Sequence, residues 1–340
     1  MLKKHPISII GFAFLVLFAS CGGNGKKQEI NKADTTTVKT PAELTELNTQ
    51  LLANPDNSDL LNKRAKYYFK KNDFNSSMTD ISKALKIDST KSDYYITLSN
   101  IYFVTNQTGK SKAALEKSIK LNDKNIDAIL KLAELYLYVK KNKESIEYIN
   151  KALMIDKFNA KGYFMKGMNF KEMHDTAKAI SSMQTAVEQD QKYYNAYIQL
   201  GLLCAAKHNP LASQYYKNAL QINPKSTEAY YDLGKYYQDE AKWDNALETY
   251  STLLKVNPQY KYACYNMGVI YFSALKKYPE AVEHYTQAIT IEPKYVEAYF
   301  ARGLCYQAMG NKKKAKDDYN SCFALVPDYE PAIAALKELK

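Results

Sequence analysis

The side chains that do most protein chemistry are thinly spread through this 340-residue chain. Of its four histidines, His174, His208 and His284 lie beyond the first twenty residues, and none is spaced to share a metal ion with another. His174 and His208 fall between helical stretches, where a solvated imidazole is expected, and His284 sits beside Tyr285 in a packing stretch. Carboxylates number 36, but they alternate with lysines as helix surfaces ordinarily do, and none is set apart for acid or base work. HExxH, Gly-x-Ser-x-Gly and glycine-rich phosphate loops are missing from the sequence. The five cysteines, Cys21, Cys204, Cys264, Cys305 and Cys322, include no CxxC pair, which argues against thiol redox chemistry. These residues point to no enzyme, no metal site and no cofactor.

Cys21 differs because of what precedes it. Lys3 and Lys4 form a short positive start, Ile7 to Phe18 an apolar run, and Ala19 and Ser20 are small. The run is shorter than the ~20 residues of a spanning helix, so residues 1–20 read as a cleaved export signal. Leu17-Phe18-Ala19-Ser20-Cys21 resembles the lipobox of bacterial lipoproteins, with Phe18 where an aliphatic residue is commoner. That resemblance implies a diacylglyceryl thioether on Cys21 and an acylated amino group. Several acyl chains, each contributing ~0.8 kcal/mol per buried CH₂, anchor a protein stably where one does not. The alternative is an ordinary secretory signal followed by an incidental cysteine. Residues 21–39 are polar and read as a lipidated N-terminus with a flexible tether, spanning on the order of 25 Å. Gly22 stands where a retention Asp would sit, and Gly23 to Lys27 carry no acidic cluster. The expected location is therefore the outer membrane, facing the periplasm, with surface exposure as the alternative.

Charge gives no reason to expect a nucleic-acid partner. The formal charge is +11, and it falls to +9 once Lys3 and Lys4 leave with the signal. Only Arg64 and Arg302 are arginines, so the planar fork favoured for base and phosphate recognition is nearly absent. A 46% hydrophobic and 24% charged composition fits a folded chain with a lysine-coated surface. Thirty tyrosines against 12 phenylalanines remain to be explained.

Internal repetition organises the rest. Ala84-Leu85-Lys86-Ile87-Asp88 recurs as Ala152-Leu153-Met154-Ile155-Asp156, as Ala219-Leu220-Gln221-Ile222-Asn223-Pro224 and as Ala288-Ile289-Thr290-Ile291-Glu292-Pro293. The first residue of each copy falls at 84, 118, 152, 186, 219, 253, 288 and 322, steps of 33 to 35 residues. That period and pattern resemble the tetratricopeptide repeat (TPR), a helix–turn–helix unit. The resemblance implies an all-α, right-handed α-solenoid of about eight repeats with terminal capping helices. Their bounds are 58–91, 92–125, 126–159, 160–193, 194–226, 227–260, 261–295 and 296–329.

Counted within each copy, position 8 is always small: Ala65, Ser99, Ala133, Gly167, Gly201, Gly234, Gly268 and Gly303. Position 20 is equally small, from Ser77, Ser111 and Ser145 to Ala179, Ala212, Ala246, Ala281 and Ala315. Position 11 carries a ring in every copy but one, where Cys204 stands. Positions 4, 7, 8 and 11 share one face of the first helix and positions 20, 24 and 27 one face of the second. Pro224, Pro258, Pro293 and Pro327 end second helices, and the odd steps fall in the turns within repeats. Residues 40–57 open with the capping box Thr40-Pro41-Ala42-Glu43 and align Leu44, Leu47 and Leu51, an N-terminal capping helix. Residues 330–340 close the stack with Ile333, Leu336 and Leu339 inward. Cys204, Cys264 and Cys322 fit packing slots as free buried thiols; a Cys264–Cys305 disulfide between adjacent first helices is the alternative.

In TPR proteins positions 2, 5, 9 and 12 of the first helices line a concave groove. Position 5 supplies Phe164, Ile198, Tyr231, Tyr265 and Phe300, position 9 Met168, Leu202, Val269 and Leu304, and position 12 Phe103, Leu137 and Phe272. Position 5 is equally able to pack on the neighbouring repeat. An apolar groove rimmed by Lys and Glu suits an amphipathic helix or an extended apolar segment. The carboxylate clamp of some TPR adaptors is broken here, because Asn100 and Lys131 lack their partners and Ile96 and Leu130 replace the clamp's position-5 residue. The expected function is a non-enzymatic interaction scaffold or adaptor, lipid-anchored in the bacterial envelope, whose partners are envelope proteins. A periplasmic chaperone, or an assembly or pilot factor for outer-membrane or secreted proteins, is the alternative.

Overall fold

A computed structural model describes residues 42–339. The expected signal, Cys21, the tether and Thr40-Pro41 lie outside the described residues. Helices succeed one another as α1 (Ala42–Ala53), α2 (Ser58–Lys70), α3 (Phe74–Ile87), α4 (Ser92–Val104), α5 (Thr108–Leu121) and α6 (Ile126–Tyr138). Next come α7 (Asn142–Ile155), α8 (Ala160–Glu172), α9 (Thr176–Gln189), α10 (Tyr194–Ala205), α11 (Leu211–Ile222) and α12 (Thr227–Asp239). The series ends with α13 (Trp243–Val256), α14 (Lys261–Val269), α15 (Tyr278–Ile291), α16 (Val296–Ala308), α17 (Lys312–Leu325) and α18 (Glu330–Glu338). Helices α2 to α17 form eight antiparallel pairs, stacked in chain order as an all-helical solenoid. Among the described residues, no helix is long and apolar enough to cross a membrane.

Each pair begins and turns in nearly the same way. Asn57, Asn125, Asn159 and Ser226 cap first helices and Asp73, Asp175 and Asn311 cap second helices, each accepting a hydrogen bond from a first-turn N–H. One residue in each intra-repeat turn takes a left-handed conformation: Asn72, Asn106, Lys140, His174, His208, Ala241, Lys276 and Gly310. Two loop histidines thus occupy a fixed backbone position of the repeat. The extra residue of the seventh copy is not accommodated in the turn alone. It widens the end of the first helix into a π-turn over Ile270–Ala274, closed by Leu275 N–H donating to the Ile270 carbonyl.

Position 8 is small because the second helix lays a side chain directly on it. A Cβ added to Gly201, Gly234, Gly268 or Gly303 would come within 2.5–2.7 Å of Cε1 of Tyr216, Tyr250, Tyr285 or Tyr319. These four tyrosines, all at position 24, are at most 1% exposed. The first helices also bury position 3, which the sequence stripe did not include: Ala128, Ala196, Ala229, Ala263 and Ala298 are 0% exposed. Close helix approach at an alanine brings successive repeats together. At the ends, Leu51 of α1 is buried with Leu44 and Leu47 half-buried. In α18 the deepest residues are Ala332 and Ala335, with Leu336 and Leu339 packed on the last core cluster and Ile333 half-buried.

Candidate partner-binding groove

First helices bring the groove residues onto one side, but with unequal exposure. Ile198 is only 3% exposed and belongs to the core, so it does not line an open surface. Ile96 and Leu130, at the same repeat position, are buried too. Asn62 is buried as well, and the other four, Phe164, Tyr231, Tyr265 and Phe300, are rings that pack on other rings. Phe164 meets Tyr193 at 5.1 Å, and Phe300 meets Tyr319 and Tyr329 at 5.8 and 5.7 Å. Tyr265 lies 5.5 Å from Tyr285 and 5.2 Å from Tyr295. In the last three repeats position 5 thus bridges the second helix of its own repeat and the tyrosine of the following inter-repeat turn. Position 12 is partly committed as well: Phe272 packs on Tyr278 at 5.6 Å and Phe103 on Tyr138 at 5.1 Å. Met168, Leu202, Val269, Leu304 and Leu137 are half-buried.

The densest part of this surface is aromatic. Tyr231 contacts Tyr260 at 5.5 Å and Tyr262 at 6.3 Å, and Tyr262 continues to Tyr295 at 6.1 Å and hence to Tyr265. Tyr262 is 46% exposed, so the chain of rings surfaces there. Lys261 places its ammonium 5.1 Å from the Tyr262 ring centre and 4.8 Å from that of Tyr295, with Glu292 at 3.8 Å. Beside Tyr231 stands Asp232, which sequence reading passed over as one acid among many. Burial, and then the negative charge of Glu228, raise its carboxyl pKa to about 7. Burial pushes the Tyr260 phenol up to about 12, neighbouring phenols and the Asp232 charge adding to it.

The cysteines and histidines do not assemble a site. Cys204, Cys264, Cys305 and Cys322 are free and buried, so Cys264 and Cys305 are unbridged. Burial pushes the Cys305 thiol up to about 12, and the nearby Asp318 adds to it, which leaves it unreactive. His208 pairs through Nδ1 with Glu240 at 2.8 Å, and His284 stacks on Tyr271 at 5.2 Å. Among the described residues, no group of three or more His, Cys, Asp or Glu is placed to hold a metal ion. The two arginines are structural twins. Arg64 grips Asp80 with Nε and Nη2 at 2.7 and 2.8 Å and gives Nη1 to Asn48; Arg302 grips Asp318 at 2.9 and 2.7 Å and gives Nη1 to Thr286.

Comparison with known proteins agrees with this geometry. Tetratricopeptide repeat models match residues 58–91, 92–125, 126–159 and 160–193, residues 228–260 and residues 296–329, and a TPR repeat model matches 272–310. Together they take in more than half of the chain. The chain belongs to the tetratricopeptide repeat proteins. The human Tetratricopeptide repeat protein 6 is 27% identical over 121 residues, 36% of this chain, and the chain spans only 23% of that relative. The C-terminal part of a TPR repeat-containing protein from Cytophaga hutchinsonii superposes with a TM-score of 0.62 at 19% identity, covering 70% of this chain and 98% of that one. The MamA protein is similar at a TM-score of 0.46 and 23% identity, over 51% of this chain and 96% of its own. At such identities the likeness concerns the fold. TPR arrays are scaffolds for binding protein partners.

Proposed function

We propose that this TPR protein is a non-enzymatic interaction scaffold of the bacterial envelope. Lipid on Cys21 would hold it at the outer membrane, with the repeats facing the periplasm and the tether separating them from the bilayer. Its groove would take an amphipathic helix or an extended apolar segment of an envelope protein. The observation that carries this reading is Met168 and Leu202. They are half-buried, large and apolar, at the position where a solvated wall would be polar. Neighbouring position-5 rings are already satisfied by turn tyrosines, which leaves position 9 as the apolar strip with surface to give.

Met168→Glu together with Leu202→Glu should abolish capture of the partner in envelope cross-linking while the helical CD signal stays intact. Retained capture would place binding on the outer face or at an end. Cys21→Ala should free the protein from the membrane fraction; unchanged association would overturn the anchor. The same cross-linking separates the scaffold from a chaperone: one stoichiometric partner fits the first, and many unfolded clients would replace it with the second.

A further inference from the structure

Because successive helices run in opposite directions, the turns within repeats gather along one edge of the stack and the turns between repeats along the other. Side chains of consecutive turns meet on the first edge: Phe103 packs on Tyr138 at 5.1 Å, and His208 Nδ1 lies 2.8 Å from Glu240. Helix α1 folds back on α2, with Asn48 held by Arg64 at 2.8 Å. The chain therefore enters the stack, at Ala42, on that same edge.

In the first three repeats the two edges differ in charge. Counted from the last residue of one helix to the fourth of the next, the turns α2–α3, α4–α5 and α6–α7 carry 6 lysines and 2 carboxylates. The turns α1–α2, α3–α4 and α5–α6 carry 2 lysines and 6 carboxylates. On the basic edge Asp73 caps α3 and Glu144 lies 3.8 Å from Lys141, whereas Lys70, Lys140 and Lys143 are exposed and form no ion pair. Lys71 and Lys110 lie over Tyr67 and Tyr102 at 5.9 and 5.5 Å, contacts that place an ammonium without neutralising it. Among these lysines Val104, Tyr138 and Val139 are 40, 63 and 40% exposed. Leu52 and Ile87 are exposed on the opposite edge, but beside Asp56 and Asp88.

Lysines around exposed apolar tips suit the boundary of an anionic bilayer, where ammonium groups meet lipid phosphates and the tips enter the headgroup layer. A nucleic-acid backbone would engage the lysines and leave the tips in water. We propose that the edge formed by the turns α2–α3, α4–α5 and α6–α7 docks on an anionic phospholipid surface, with the acidic edge turned away from it. This rests on the lipid-anchored reading and adds an orientation to it. A tether running from Cys21 to Ala42 brings this edge within reach of the bilayer. The first helices then stand end-on to the lipid and leave the groove open beside it.

The test is acetylation footprinting of lysines, read by mass spectrometry, on the full chain in vesicles of phosphatidylcholine alone or with added phosphatidylglycerol. In the anionic vesicles Lys70, Lys140 and Lys143 should react about fivefold more slowly than in the neutral ones, while Lys91, Lys124 and Lys157 react alike in both. Salt at ~1 M should erase that protection. Lys70→Gln, Lys140→Gln and Lys143→Gln together should also remove the protection of Lys71 and Lys110. The same charge loss placed on the other edge, Lys124→Gln, Lys157→Gln and Lys225→Gln, should leave it intact. Equal reactivity in both vesicles, or protection spread over both edges, overturns the proposal. Protection that appears only with added envelope extract assigns the edge to an acidic macromolecule and overturns it too. Flotation with neutral vesicles reads the anchor separately: a chain that fails to float is not lipid-anchored, and its footprint on anionic vesicles still tests the edge.

Discussion

The first three repeats and the last four solve the same packing problem with different atoms. In the first three, position 8 is Ala65, Ser99 or Ala133, and position 24 is Ile81, Leu115 or Ile149, each at most 1% exposed. Position 20 is serine there, and its hydroxyl reaches back to the first helix: Ser77 to the Ala65 carbonyl at 2.7 Å, Ser111 to that of Ser99 at 3.0 Å, Ser145 to that of Ala133 at 2.7 Å. In the last four, position 8 is glycine, position 20 alanine, and a tyrosine ring fills the space. Two of those phenols are tied by position-12 glutamines, Tyr250 to Gln238 at 3.1 Å and Tyr319 to Gln307 at 2.6 Å. The fourth repeat is intermediate, with Gly167 under Met183 and Ala179 at position 20. Helix spacing thus follows a volume shared between positions 8 and 24, with a hydrogen bond from position 20 in the first three repeats and from position 24 in the sixth and eighth.

Exchanging one half of a solution without the other should do the most damage. Gly234→Ala drives a methyl to 2.5 Å from the Tyr250 ring and should cost about 3 kcal/mol in urea unfolding. Adding Tyr250→Ile, which completes the N-terminal arrangement, should recover a large part of that loss. No recovery would show that the two positions are not coupled. Arg302→Met leaves Asp318, 7% exposed, without its bidentate partner and should cost roughly 2–3 kcal/mol. Arg64→Met should cost a similar amount at the other end, since the two grips are alike; strongly unequal losses would break that equivalence.

Asp232 belongs to the tyrosine-rich half alone and gives it a distinct pH response. Its folded pKa of about 7 lies above its ordinary value of 3.8, so the folded state holds the proton more tightly. The stability this contributes is complete below about pH 4 and is lost as pH rises to 7. Three pKa units would represent about 4 kcal/mol, and remaining contact with water reduces this to an expected ~2 kcal/mol. Asp232→Asn should flatten that decline in unfolding curves between pH 4 and 8; a mutant as pH-sensitive as the parent would contradict it. Smallest is Ser145→Ala, about 1 kcal/mol, from the lost bond to the Ala133 carbonyl and to Asn169.

Much of this was legible in the chain because a repeat states its rules eight times. The small residues at positions 8 and 20, the ring at position 11 and the two end helices followed from period and alternation. The groove was less legible. A helical period puts Tyr231, Tyr265 and Phe300 on the inner side, but their neighbours Tyr260, Tyr295 and Tyr329 sit on turns almost thirty residues later. No single-helix pattern contains those contacts. The helical period leaves position 5 free to face the groove or to pack on the next repeat, and Ile198, 3% exposed, takes the second course. The π-turn at Ile270–Ala274 appears in sequence only as a 35-residue step, which cannot tell a widened helix from a longer loop. Asp232 carries no sequence mark that sets it apart from the other 35 carboxylates.

The most direct test of the groove is photo-cross-linking in the native envelope. One photoreactive residue replaces half-buried Met168 on the inner strip, and another replaces Glu248, exposed on α13. Interaction through the groove predicts a single cross-linked partner from position 168 and none from position 248. A partner captured from position 248 and not from position 168 would contradict it.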